Sequence, residues 1–433
     1  MNVIHEMLAS VPIPKMVKVR QRFEDEHIEN VEEVVWQQLS RTEISEKILP
    51  GMKIAITCGS RRIDNLALII RTISRYCKER GADPFIFPAM GSHAGSQAQG
   101  QKEICESYGV TEEYCECPIR SSMETISLGM TEMNVPACID KYAAEADGII
   151  VVNRIKAHPG FTGQYESGLV KMMVIGMGKQ IGAETCHQFG FGEFPALLDS
   201  IGRKIIQEAP VLCGVALIEN AYDQTRYIFG LTPSEIFEKE PELLNIAKSN
   251  MPRLLPGRCD VLVVDRMGKD ISGSGMDANI TARSGSPFKK VTNFSAMRVV
   301  ALDLTEASHG SMGGVGNADI INKRIFEKGD ITLTYPNSIT HTNVRADAIP
   351  MMMDTDKLAI QCALKTCACK NIHEPEVIRI LDTLHLKNIM VSETLAKSLE
   401  GIPGIEILGD ANCWEFDSSD NVINCWDEAI WKE

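Results

Sequence analysis

Histidine suits acid–base and metal chemistry near neutral pH, and this chain of 433 residues contains only nine. Three sit in glycine-bearing loops of the first half. His93 lies in Gly91-Ser92-His93-Ala94-Gly95, directly after the apolar run PFIFPAM. His158 follows GIIVVNRIKA and opens His158-Pro159-Gly160-Phe161-Thr162-Gly163. His187 follows the glycine-rich run GMGKQIGAETC. Any one of them alone reads as a hydrogen-bonded structural residue. Three in such loops point to a site. Lys171 stands between the second and third, inside the apolar run LVKMMVI. A lysine there either snorkels from a helix end or is desolvated, and desolvation yields an amine able to form covalent bonds. Gly176 and Gly178 would let the backbone approach something closely, and such a run can cradle phosphate through its N–H groups. The run is no P-loop, because no Lys-Ser/Thr closes it. It also misses the dinucleotide fingerprint: the third glycine is due where Ile181 stands and comes one residue late, at Gly182.

Strand–helix alternation must position these loops. Lys53–Ser60 reads as a buried strand, Asp64–Arg80 as a helix starting on a capping Asp, and Pro84–Gly91 as a second strand. Gln97–Tyr108 is a short helix, Gly148–Val152 a third strand, Pro195–Glu208 a helix and Leu212–Ile218 a strand. This alternation gives a mostly parallel sheet with helices on its faces, and ligands bind beyond the carboxyl ends of such strands. Near Asn250 a helical stretch rich in Glu and Lys is broken by Pro252, Pro256 and Gly257. A second unit then starts with strand Cys259–Asp265. It continues with strand Arg298–Leu304, helices Asn317–Phe326, Ala346–Cys367 and Pro375–Leu384, and a strand near Asn388–Val391. The expectation is two α/β domains, residues 1–250 and 251–433, with a cleft between them.

Composition narrows the function classes. Lys and Arg total 44 against 58 Asp and Glu, a net charge of −14, which disfavours non-specific nucleic-acid binding. No apolar run approaches a membrane span, and the start MNVIHEMLASVPIPK does not look like a signal peptide, so a cytoplasmic protein is expected. The 14 cysteines include two C-x-C pairs, Cys115/Cys117 and Cys367/Cys369, but no paired C-x-x-C knuckles. Reduced cytosolic thiols are the expectation.

The histidines and the lysine together resemble the lactate racemase family. His93 in G-S-H-x-G is similar to that family's Gly-Thr-His motif after a strand. His158 in H-P-G-F-T-G is similar to its His…Gly-Phe-Ser-Gly motif. Lys171 stands where the family's cofactor-bearing lysine stands, after Ser167-Gly168 and before Ile175-Gly176. His187 lies 16 residues past Lys171, at the place of the metal-ligating histidine.

The resemblance implies a nickel-pincer nucleotide, tethered covalently to Lys171 and held with Ser92, Gly176 and Gly178, with His187 ligating nickel. It implies that the cleft holds this cofactor, residues 1–250 supplying the catalytic groups and residues 251–433 closing over the substrate. His93 and His158 would be two bases flanking a hydroxy-acid substrate, one on each side, as the Cα hydride moves to the cofactor. Arg61 stands where the family has a substrate-binding arginine. Arg62 and Lys269 are further candidates for the carboxylate. Cofactor-synthesis proteins are the implied partners. There are departures. Ser167-Gly168 replaces Gly-Gly, Ile175-Gly176 replaces Pro-Gly, and Cys58 stands where the family has an acid before the arginine. The family's Tyr-Gln…Lys cluster is not found. In its place stand the loops Gly268–Asp277 and His309–Asn317. These departures detach the reading from lactate itself. The expected activity is a racemase or epimerase of a 2-hydroxy acid or related sugar acid. Two rivals stand beside it: a metal-dependent lyase or hydrolase using the three histidines as ligands, and a small-anion-binding module.

Overall fold

The computed structural model describes residues 3–60, 62–340, 342–369, 371, 373–427 and 431. The chain divides into two compact units, Glu24–Met251 and Met1–Phe23 with Pro252–Glu433. The break at residue 251 lies where the proline and glycine cluster begins. The first 23 residues part from the expected boundary and join the second unit. The reason is strand β1 (Met16–Gln21), whose Val17 and Val19 are buried and whose backbone pairs within that unit's sheet.

In the unit Glu24–Met251 a five-stranded sheet runs in the order β3-β2-β6-β7-β8. Its members are β2 (Lys53–Cys58), β3 (Asp83–Pro88), β6 (Gly148–Arg154), β7 (Val211–Glu219) and β8 (Thr225–Leu231). A separate hairpin joins β4 (Thr125–Met130) to β5 (Pro136–Asp140). β3, β2, β6 and β7 are parallel, and β8 returns antiparallel at the edge. Both faces are covered, so the strands read as unbroken apolar runs. Successive residues still go to opposite cores. Ile54 and Ile56 pack with Val35, Leu39, Ile69 and Ile73 of the helices Val31–Leu39 and Leu66–Glu79. Ala55 between them packs with Leu198, Ile201 and Phe237 of the helices Gly190–Glu208 and Pro233–Asn250. Asp64 does not cap the helix after β2: that helix begins at Leu66, and the Asp64 carboxylate accepts the Thr225 N–H at 2.8 Å.

The second unit carries an eight-stranded sheet. β9 (Arg258–Val264), β10 (Ser295–Ala301), β11 (Ile320–Asn322) and β12 (Met351–Met353) are parallel neighbours, and β13 (Val377–Ile380) joins the other side of β9. β14 (Asn388–Ser392), β1 and β15 (Ile405–Asn412) complete it with antiparallel pairings. Three expected helices are corrected here. Pro375–Leu384 holds β13, four consecutive buried residues between two strands. Asn317–Phe326 holds β11 and only a short helix, Arg324–Lys328. Ala346–Cys367 opens with β12, and its helix starts at Asp356 behind the capping side chain of Thr355.

No helix among the described residues is long and apolar enough to cross a membrane. No disulfide forms among them, and burial pushes the Cys115 and Cys117 thiols up to about 12 and about 11. Thiols raised this far stay protonated at pH 7 and are poor nucleophiles.

Candidate functional site

The His93 loop leaves the carboxyl end of β3. Four of its residues take left-handed backbone angles: Gly91, Ala94, Gly95 and Ser96. The His93 ring is held at both nitrogens. Nδ1 bonds the Met90 carbonyl, and Nε2 lies 3.0 Å from the Ser60 hydroxyl beyond β2. A buried amide braces the loop from below. Gln101 donates to the Gly91 carbonyl at 2.9 Å and to the His93 carbonyl at 3.3 Å. Its own carbonyl oxygen accepts from Lys179 Nζ at 2.8 Å. Lys179 is fully buried, has φ +56°, and also donates to the Pro88 carbonyl at 2.7 Å. Its ammonium lies 3.5 Å from the buried carboxylate of Asp140. Burial lowers the lysine's pKa and raises the aspartate's, each partly offset by the attraction of the other.

The His158 loop leaves the carboxyl end of β6, two strands from β3 across β2. Glu166 organises it. Its buried carboxylate accepts the backbone N–H of His158 at 2.7 Å and of Gly163 at 3.4 Å, and pairs with Lys248 at 2.6 Å. The Gly160 N–H donates back to His158 Nδ1 at 3.0 Å. The imidazole packs on Phe161, with ring centroids 4.4 Å apart.

Lys171 closes a single helical turn, Leu169–Lys171, that passes into a π-helix, Met172–Met177, and then into the helix Lys179–His187. π-helical turns are rare and recur at functional sites. The turn is anchored by Asn153, which donates to the Gly168 carbonyl at 2.8 Å, and by Glu240, which accepts the Val170 N–H at 3.1 Å. Lys171 is half-buried. His187 is half-buried too, its ring 4.9 Å from Phe194 and 6.0 Å from Phe191. Phe191 also meets the His158 ring at 5.8 Å, so one aromatic cluster joins the two histidines. The neighbouring Cys186 thiol is pushed up to about 12 by burial.

The loops converge on this segment. A Cβ on Gly91 would stand 3.4 Å from Ile175, and one on Gly59 would stand 2.9 Å from Met172. Gly176 and Gly178 are both buried, and what they approach is the chain itself. A Cβ would come within 2.7 Å of the Ala89 carbonyl at Gly176 and within 2.3 Å of the Val174 carbonyl at Gly178. Backbone cannot step aside, so Gly178→Ala should destabilise the protein by about 1–3 kcal/mol. Gly95→Ala, with nothing within 4 Å but φ +60°, should cost about 1 kcal/mol. Denaturant midpoints of the two variants compare packing against backbone strain directly.

The other expected residues are scattered. Ser92 and Arg62 are exposed on the unit Glu24–Met251. Arg61 lies outside the described residues. Lys269 belongs to the other unit, exposed on the loop after β9, with its backbone N–H donating to Ser308 at 2.9 Å. Among the described residues no three His, Cys, Asp or Glu side chains gather as a metal-ligand set. The sequence reading passed over Ser60, Gln101 and Glu240, and it treated Lys179 as part of a glycine-rich run. A lysine between glycines gives no sign that it is buried, and each of the four has a partner distant in sequence: His93 for Ser60, Lys179 for Gln101, Pro88 for Lys179 and Val170 for Glu240.

Residues 5–193 match the family described as the lactate racemase N-terminal domain. His93, His158, Lys171 and His187 all fall inside the match. No curated protein matches the chain. Among solved structures, the lactate racemase apoprotein from Thermoanaerobacterium thermosaccharolyticum is similar at 14% identity and a TM-score of 0.43, over 66% of this chain and 73% of that one.

Proposed function

We propose, from the premise that residues 5–193 belong to the lactate racemase N-terminal domain family, that this chain is a racemase or epimerase of a 2-hydroxy acid or related sugar acid. The observation that supports the reading is the packing of the His93 loop on Ile175 of the Lys171–His187 segment, with Phe191 bridging the His158 and His187 rings, at the carboxyl ends of β3 and β6.

The donor set suits a metal that arrives already complexed. A bare ion needs three or four protein ligands, and the described residues gather no such set. One imidazole at His187 and one amine at Lys171 are what a nickel-pincer nucleotide would use, the first on the metal and the second as covalent tether. When bound, that group would supply a reversible hydride acceptor. The remaining tasks fall to the chain. His93 and His158 handle the substrate's hydroxyl proton. Phe161 and Phe191 pack on the His158 ring and shield it from water there, with Phe194 behind Phe161. Arg61, Arg62 and Lys269 are candidates for the substrate carboxylate. The same missing ligand set counts against the hydrolase or lyase reading with three histidines on one metal.

Protein produced together with the cofactor-synthesis proteins provides the test. Peptide mass spectrometry should find an adduct on Lys171, and the purified chain should carry stoichiometric nickel with a charge-transfer band in the visible. Lys171→Arg should lose the adduct, because guanidinium stays protonated. His187→Ala should keep the adduct and lose most of the nickel. An adduct on Lys156 or Lys179, or unchanged nickel in His187→Ala, would refute these roles.

A further inference from the structure

The unit that contains Pro252–Glu433 holds a cavity that shares no residue with the site described above. Its volume is about 250 Å³, and it lies between the segment before β1, the helix Asp356–Thr366 and the chain that follows β15. Pockets for drug-sized ligands run to ~300–1,000 Å³, so this one suits a molecule of one or two rings. Its aromatic wall comes from a local alternation. In Cys413-Trp414-Glu415-Phe416 residues two apart share a side, and the Trp414 and Phe416 rings lie nearly parallel, at 14° with centroids 6.2 Å apart. That wall is fixed before any ligand arrives. The Trp414 indole N–H donates to the Pro14 carbonyl at 3.1 Å, and the buried guanidinium of Arg379 stands 4.9 Å from its ring. Flat heteroaromatic rings of many kinds stack on such a surface.

Two polar side chains one helical turn apart narrow the choice of ring. Gln361 is 5 % exposed and donates its amide N–H to the Val11 carbonyl at 3.0 Å. A carbonyl can only accept, so this bond fixes which end of the amide is nitrogen. The Gln361 oxygen accepts from none of the described residues and is not sealed in the core, which leaves it open to the cavity the side chain lines. A half-buried acceptor of this kind favours a ligand that brings an N–H. Four residues earlier on the same helix, Lys357 pairs with Asp420 at 2.9 Å and lies 5.6 Å from the Phe416 centroid. Its ammonium carries three N–H groups, and one can serve an acceptor inside the cavity.

We propose that this cavity binds a nucleobase, taken up as the free base or nucleoside. The ring lies on Trp414 and Phe416, an N–H of its pairing edge donates to the Gln361 oxygen, and the neighbouring acceptor takes a hydrogen bond from Lys357. Every base carries a donor beside an acceptor on that edge, so the chemistry selects the class. A nucleic-acid strand is not the source, because a chain of net charge −14 repels a phosphate backbone. The site is independent of the racemase reading and stands or falls without it.

Cys413, an exposed thiol lining the cavity, reports occupancy. In the full chain, uridine should slow the alkylation of Cys413 by a maleimide, read by peptide mass spectrometry, and should quench tryptophan fluorescence over the same concentrations. 3-Methyluridine keeps the ring and both carbonyls but lacks the N–H, and should need about tenfold more for equal protection. Trp414→Ala should raise the uridine concentration for half-protection at least about fivefold, and Lys357→Met about tenfold. Gln361→Met should erase the preference for uridine over 3-methyluridine, an effect that a purely structural glutamine would not produce. If that variant fails to fold, the two nucleosides on the unaltered chain still decide. Equal protection by both, or none by uridine at millimolar concentration, overturns the proposal. An oligouridylate that protects at a lower base concentration than uridine overturns the free-nucleoside assignment.

Discussion

Lys179→Met should destabilise the protein by about 3–5 kcal/mol at pH 7, the range for leaving one member of a buried ion pair uncompensated. The methionine fills the volume but abandons three groups. Among the described residues Asp140 Oδ2 has no hydrogen-bond partner and only the Lys179 ammonium, 3.5 Å away, to balance its charge. The Pro88 carbonyl and the Gln101 amide oxygen lose their donor. The loss should shrink in acid. Without the lysine the Asp140 pKa rises further above its unfolded value, so the penalty is largest above the folded pKa and disappears as the carboxyl protonates. Urea midpoints at pH 5 and 7 measure both parts. Lys179→Met/Asp140→Asn should recover a good share of the loss, because the asparagine oxygen can still accept the Tyr142 and Ala143 N–H groups. An equally unstable double variant would show that packing, not charge, sets the cost. Hydrogen exchange in the His93 loop should speed up in the single variant, since the Gln101 brace hangs from Lys179.

Glu240→Gln should become progressively stabilising as pH rises. Burial pushes the Glu240 carboxyl up to about 8, against an ordinary value of 4.5, and one of its oxygens has no hydrogen-bond partner among the described residues. The sign follows from proton binding. Between pH 4.5 and 8 the unfolded chain releases this proton and the folded chain keeps it, so stability falls with rising pH. At about 1.4 kcal/mol per pH unit the full window amounts to roughly 5 kcal/mol. The glutamine has no proton to lose, and its carbonyl can accept the Val170 N–H in place of the acid. The two proteins should be close in stability near pH 5, and the variant ahead by several kcal/mol at pH 8.5. Parallel thermal or urea curves would show that the carboxyl is not buried as a neutral acid. The same titration bears on Lys171, since Glu240 holds the turn that presents it.

Sequence made the first unit largely legible and the second only in part. β2, β3, β6 and β7 are apolar on both faces and separated by helices of ordinary length, so their period and punctuation agree. β8 escaped notice as an antiparallel edge strand, TRYIFGL, in which apolar and polar residues mix. β11, β12 and β13 are three or four residues long. Runs that short carry no period to distinguish strand from helix. β1 and β15 could not be placed in a sheet because their partners lie hundreds of residues away. In the site, His93, His158, Lys171 and His187 stood out by type and spacing, and each lies at or near a strand's carboxyl end or on the segment packed there. What holds them was hidden. Gln101, Glu166, Lys179, Glu240 and Lys248 are common residues in helices and loops. Only burial and a partner distant in sequence reveal their work. The two glycines, read as a phosphate cradle, have close neighbours in the chain's own backbone.

The helix Pro233–Asn250 bears on how this protein could be recombined. It sends Glu240 to the Lys171 turn, Lys248 to the carboxylate that shapes the His158 loop, and the Phe237 carbonyl to the hydroxyl of Tyr165 at 3.1 Å. All three residues lie beyond residue 193, where the family match ends. A chimera cut at that point would inherit all four conspicuous side chains and leave behind the props of two of them. The transferable module is the compact unit Glu24–Met251, which also omits β1 because that strand pairs with the other sheet. Grafts made at this boundary would keep His93, His158, Lys171 and His187 in one piece with their supports, so loops could be exchanged at the carboxyl ends of the strands without rebuilding what holds the lysine and the histidines.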